Sequence, residues 1–149
     1  MMRELIEQRL QTLMLDGQPV FQHIESATNL DSVIKNNRIA ADTAFVIPMT
    51  DRGAAEQLNT YQFQQPITTG VGVVIACRSI NDRLGSDAIA RMESLKVHVR
   101  RHLLGWEPSE TYEALLFDQG RIVSFSNTAA FWLEQYRSRF TFRGQDHVS

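Results

Sequence analysis

At 149 residues the chain has the length of one domain, and a domain of this size buries roughly 70% of the surface its unfolded chain exposes, so a core needs neither metal nor disulfide. Fifteen basic against seventeen acidic residues give a net charge of −2, which excludes a whole-protein attraction to nucleic acid or to an anionic membrane. With 43% hydrophobic and 21% charged residues, the composition shows no sign of disorder or of a fibrous repeat.

From Arg3 to Met14 the residues Leu5, Ile6, Leu10, Leu13 and Met14 recur at helical spacing, and Asp16-Gly17 breaks the pattern. This predicts a first amphipathic helix, whose charged residues interrupt any apolar core of a signal peptide. In "PVFQHIES" Val20, Gln22 and Ile24 alternate with Phe21, His23 and Glu25, as in a short strand with two unlike faces. Asn29 then caps a brief helix through Leu30, Val33 and Ile34, ended by "KNNR".

"TAFVIPM", Thr43 to Met49, has strand length, and Pro48 argues for a strand end or an edge. The polar stretch Thr50 to Thr60 reads as a long loop. Gln65 to Arg78 is the longest strand candidate, and its apolar end belongs at the centre of a sheet. Between Asp82 and Leu104, Ile89, Met92, Leu95, Val99 and Leu103 form one stripe of a long helix. Gly105 suits the left-handed position that closes this helix in a Schellman ending, and Pro108 forbids its continuation.

"YEALLFDQGRIVSFS" reads as two strands around Gln119-Gly120, with Leu116, Ile122 and Phe125 available to the core. Ala130 to Phe142 supplies a last strand. The sum is an α+β domain: one mostly antiparallel or mixed β-sheet with helices packed on one face. Residues 1–143 form the single domain, and 144–149 a flexible tail.

Chemistry-bearing patterns are sparse. The sole cysteine, Cys77, sits in "VGVVIAC" and reads as a buried, inert thiol compatible with a reducing compartment. His98 and His102 are four apart on the long helix, but two ligands beside Arg100 and Arg101 do not make a metal site, and a solvated basic helix end explains them better. "TTGVGV" lacks the rest of a phosphate-binding loop, and the acidic residues of "TDRGAAE" and "FDQG" read as turn residues. Arg137, Arg139 and Arg143 interleave with Tyr136, Phe140 and Phe142, a pattern shared by a nucleic-acid face and a half-buried strand. The charge balance favours the strand, and an acidic protein partner fits the arginines equally well. Trp106 either packs along Arg101 or Val99 or fills a subunit contact.

Taken in order, "TAFVIPM", "QPITTGVGVVIACR", "VRRHLLGWEP", "LLFDQGRIV" and "AAFWLEQYRSRFTFR" resemble the phage tail terminator proteins of lambda-like long-tailed phages, in particular the branch carried by transposable phages and prophages. The resemblance spans roughly Ala40 to Arg143; the first forty residues follow the family only in their order of helix and strand. Its structural marks here are Pro48, Gly105, Trp106, Pro108, Gly120 and Trp132. It implies a virion subunit, assembled in the host cytoplasm, that caps the head-proximal end of the tail tube as a homo-hexameric ring. The implied partners are further copies of itself, the tail tube protein and a head-completion or connector protein; no catalysis, cofactor, membrane or specific nucleic acid is implied. A ring needs two unlike surfaces, for which the candidates are Asp51, Arg52 and Glu56 on the polar stretch and Arg100, Arg101 and Trp106 at the helix end. A neck connector or tail-completion protein stays open as an alternative, as does a small oligomeric enzyme using His98 or His23 in a subunit cleft.

Overall fold

The computed structural model describes residues 2–35, 39, 41–55, 57–58, 63–78, 86–126 and 129–144. In chain order the elements are α1 (Met2–Gln11), β1 (Met14–Leu15), β2 (Gln18–Pro19), β3 (His23–Ser26), α2 (Leu30–Lys35) and β4 (Thr43–Gly53). There follow β5 (Gln57–Leu58), β6 (Phe63–Arg78), α3 (Ser86–Leu103), β7 (Leu116–Phe125) and β8 (Ala129–Arg143). The main sheet runs β3-β4-β6-β8-β7, with β5 appended to β6. Only β3 and β4 are parallel, so the sheet is mixed and the fold α+β, as the sequence leads one to expect.

The long apolar run of β6 does fall at the sheet centre. Strands covered on both faces read as continuous apolar runs, and residues 71–77 of β6 are all buried. Val71, Val73, Ile75 and Cys77 face one cluster, shared with Met2, Ile6 and Leu10 of α1 and Met92, Leu95, Val99 and Leu103 of α3. Val74 and Ala76 face a second cluster with Phe45, Ile47, Phe131 and Leu133, closed by Val33 of the short α2. The two longer helices thus share one face, and α2 lies on the other. Asn29 caps α2 as expected, its Oδ1 accepting from the Ser32 amide at 2.9 Å.

Several local expectations are corrected. Helix α1 stops at Gln11, so Met14 is 53% exposed and Leu13 makes the last core contact. Asp16 and Gly17, both at positive φ (52° and 78°), form the two-residue turn joining β1 to β2. In α3 Ile89 is 54% exposed, and Ala88, 2% exposed, takes its place in the stripe. Both are in phase with Met92, one four and one three residues away, so spacing alone did not separate them. Helix α2 ends at Lys35, the first residue of "KNNR"; Asp82, the expected start of α3, lies outside the described residues, as do residues 36–38 and residues 145–149 of the expected tail.

The polar stretch after Met49 is not all loop: Thr50 to Gly53 continue β4, and Gln57 and Leu58 form β5. The polarity of Thr50 to Gly53 reflects exposure, not lack of strand. A register shift between Pro48 and Asp51 bends β4 at that point. Pro48 lies beyond Val46, the last β4 residue paired to β3, so it occupies the free-sided position expected of a strand proline.

Nor does the chain turn at Gln119-Gly120. Strand β7 runs continuously through it, with register shifts between Phe117 and Gln119 and between Ile122 and Ser124. Leu116, Ile122 and Phe125 are 53%, 53% and 43% exposed, and Leu115 is the buried residue. A one-residue error in phase moves every strand side chain to the other face.

At Gly72 a Cβ would lie 2.9 Å from Ile47 Cγ1 and 3.0 Å from Leu133 Cδ1, inside van der Waals contact. The substitution Gly72→Ala is expected to overpack the second cluster and destabilise the fold by about 1–3 kcal/mol, read as a lower urea midpoint at unchanged denaturant slope. An unchanged midpoint would show that the three central strands adjust freely there.

Candidate functional site

Alternation along β8 puts Trp132, Glu134 and Tyr136 on the face beneath α3, and Glu134 is fully buried. A buried carboxylate demands partners, and this one has four contacts. Arg100 of α3 donates twice, Nε to Oε2 at 3.0 Å and Nη2 to Oε1 at 2.7 Å. Trp132 Nε1 donates to Oε1 at 2.7 Å and the Tyr136 hydroxyl to Oε2 at 3.0 Å. The bond to Glu134 raises the Arg100 pKa above its ordinary value, and burial, reinforced by Glu134, raises that of Tyr136, so both remain protonated donors.

The cations above are also stacked. The Arg100 guanidinium sits 4.6 Å from the Phe117 ring centroid, and Lys96 Nζ lies 3.7 Å from that of Trp132. Lys96 is itself buried, and pairs with Glu93 at 2.7 Å. Gly120 explains itself here: a Cβ would stand 3.0 Å from Glu134 Oε1 and from the Trp132 indole, so only glycine lets β7 pass this close. The motif residue is a close approach, not a turn.

The helix stop is a second node. Gly105 adopts φ 80°, but its amide donates across to the Leu115 carbonyl at 3.0 Å, and the Leu115 amide returns to Trp106 O at 3.0 Å. The expected backward Schellman bond from the glycine amide is replaced by this two-way tie to the chain entering β7. Pro108 is buried. Trp106 is half-buried against the first cluster, with Arg9 of α1 5.2 Å from its ring, so its cation is Arg9 and not Arg101. Arg9 Nε donates to the His102 carbonyl at 3.1 Å, while His102 Nε2 lies 2.9 Å from Arg9 O and 2.8 Å from Thr12 Oγ1. These contacts staple the ends of α1 and α3 together.

The sequence candidates are therefore dispersed. Arg100 turns inward to Glu134, and Arg101 is exposed. Asp51 lines a cleft of about 460 Å³ with Arg3, Pro48, Tyr112 and Phe140, and Arg52 is exposed on the next position of β4. Glu56 lies outside the described residues. Burial, then Asp51, raises the Tyr112 pKa above its usual value. The Cys77 thiol, in contact with Met92 sulfur at 4.0 Å, is pushed up to about 12 by burial and is no thiolate. His98 is half-buried and His23 exposed, and neither lines the cleft of Asp51. Among the described residues no group of three or more His, Cys, Asp or Glu could hold a metal. Glu134 and Lys96 were missed from sequence, although a lone carboxylate in "FWLEQY" with an indole and a phenol two residues to either side was a signal.

A buried carboxylate satisfied by its own chain and a cysteine held as its thiol characterise this α+β domain. A family model described as phage tail terminator protein matches residues 2–146, so the chain belongs to the phage tail terminator family, a family of structural proteins of the phage tail. No curated protein matches the chain. Among the described residues no helix is long and apolar enough to cross a membrane.

Two predictions test the nodes. Arg100→Met strands the buried Glu134 carboxylate and is expected to cost about 3–5 kcal/mol. Glu134→Gln keeps a polar group for Trp132 and Tyr136 and leaves Arg100, 34% exposed, within reach of water, so it should cost less, about 1–3 kcal/mol by urea unfolding. The reverse order would remove the carboxylate from the centre of this account. For His102, burial first and the Arg9 charge next lower the pKa below 6.5, outweighing the Arg9 carbonyl. The unfolded state then binds more protons, so His102 contributes stability above pH 6.5 that is lost as the pH falls through the folded value. His102→Gln should flatten that part of the stability profile, measured by urea midpoints on either side of pH 6.5; an identical slope would exclude this histidine as its source.

Proposed function

We propose that this protein caps the head-proximal end of the phage tail tube as a homo-hexameric ring, stopping tube polymerisation and forming the surface to which the head is joined. The match to the tail terminator family over residues 2–146 carries this reading. The physical character of the subunit supports it: Glu134 has its contacts satisfied inside the chain, and charges such as Arg52, Arg101 and Glu107 stand exposed for contact. Ring closure needs a heterologous contact, one surface of a subunit meeting a different surface of the next. The polar end of β4 with Asp51 and Arg52, and the α3 end with Arg101 and Trp106, remain the first candidates for such contact.

The test is the length distribution of tails in lysates of the parent phage with and without this gene, by negative-stain electron microscopy. Overlong, headless tubes that regain normal length when the protein is added are expected. Tails of normal length that fail to join heads would place the protein on the connector side of the neck, and unaffected virions would refute both.

A further inference from the structure

The open edges of the main sheet are poor docking sites. Strand β7 carries two register shifts and the charges of Asp118 and Arg121, and β4 carries Pro48 and a shift of its own; such features blunt strand-to-strand pairing. The available surface is the sheet face opposite α1 and α3, beyond the area closed by α2. Cross-strand register places Arg52, Thr68 and Arg139 in one row on that face. Arg52 and Arg139 are exposed, and among the described residues neither has an ion-pair partner. They are two strands apart, about 10 Å, close enough for mutual repulsion at ordinary salt. Arg137, two residues from Arg139, reaches Asp118 only at 3.4 Å, and the exposed Leu116 stands opposite it.

The complementary surface is on the same chain. Between Arg101 and Arg121 there is no Lys or Arg, and Glu107, Glu110 and Glu113 are all exposed. This loop is held by the Gly105, Trp106 and Leu115 bonds and by the Glu113 amide donating to Arg139 O at 2.9 Å, so its carboxylates are presented on a fixed frame. The loop borders the face at Arg139, where Glu110 and Glu113 line a cleft with it but, among the described residues, form no ion pair with it. Carboxylates on a loop and arginines on a face supply the opposite signs that a heterologous contact can match.

We propose that Arg52 and Arg139 form a docking surface for Glu107 and Glu110 of a second copy of this chain, an inference that rests on the ring reading above. Nucleic acid fits less well: Phe140 alternates to the other face, in the cleft with Asp51 and Tyr112, Tyr136 is buried there, and the net charge is −2. Among the described residues the row of arginines therefore has no aromatic platform beside it.

Two surface variants decide the matter, Arg52→Glu/Arg139→Glu and Glu107→Lys/Glu110→Lys, each first shown to melt as the wild type does. Supplied singly to lysates lacking the gene, each is expected to lower the yield of normal-length tails by about tenfold or more. Supplied together they restore it to within about twofold, because the reversed face of one meets the reversed loop of the other. Wild type that restores tail length while the pair does not, or either variant working alone, overturns this inference and leaves the ring reading standing. If wild type itself leaves tail length unchanged, that reading fails instead. Native mass spectrometry of the purified proteins then decides: alternating mixed oligomers support the contact, and their absence, or a monomeric wild type, overturns it. Salt-dependent binding of duplex DNA lost only in Arg52→Glu/Arg139→Glu would likewise overturn it in favour of nucleic acid.

Discussion

The constraint on which the rest of this structure depends is the Glu134 carboxylate, fully buried on the central strand pair and held by Arg100, Trp132 and Tyr136. A buried ion pair adds little net stability, because the cost of desolvating two charges offsets their attraction, but it is unforgiving of misplacement. Shifting β8 by one residue would turn Glu134 into the second cluster among Phe45, Ile47 and Val74, away from every donor it now has. Rotating α3 by one position would withdraw Arg100. The carboxylate therefore selects one register for β8 and one rotation for α3, and through Gly120 it selects how closely β7 may follow.

The helix stop carries this placement outward. The glycine amide, the tryptophan carbonyl and Leu115 close a short bracket, while Arg9, Thr12 and His102 lock α1 to the same point. "HLLGWEP" is thus a three-way junction of α3, α1 and the entry to β7, which is why a terminator, an indole and a proline sit so close in sequence. The loop beyond leaves this junction in a fixed direction. A protein that acts by contact gains from such rigidity, since surfaces already ordered lose less freedom on association.

Legibility in the sequence tracked how local each cause is. The Asn29 cap, the α3 stripe from Met92 to Leu103 and the central run of β6 are decided by neighbouring residues, and sequence spacing was enough to place them. Ala88 against Ile89 was decided by the sheet beneath the helix, which a small residue approaches more closely. Strand β7 was misphased because its two register shifts break the alternation on which phase is judged. The surroundings of Glu134 and Trp106 draw on partners far along the chain, Arg100 and Arg9 among them. No periodicity encodes those partners.

Length sets the remaining problem. The 16 residues of β6 extend about 53 Å as a strand, whereas the 18 residues of α3 cover about 27 Å. With α2 only 6 residues long, much of the sheet runs past the helices, and on the face opposite α1 and α3 it carries Arg52, Thr68, Gly70 and Arg139 there in place of the Val and Ile of the covered end, while Phe63, Ile67, Phe140 and Phe142 alternate to the other face. An uncovered apolar face would invite indiscriminate pairing, and a polar face with blunted edges does not. What such an arm retains is selectivity of sign: a row of arginines is indifferent to apolar surfaces, repels basic ones and accepts a fixed set of carboxylates. Under the proposed contact, the arm's overhang and the charge placed on it belong to one physical solution, in which blunted edges disfavour strand pairing and the charged face is left for a chosen neighbour.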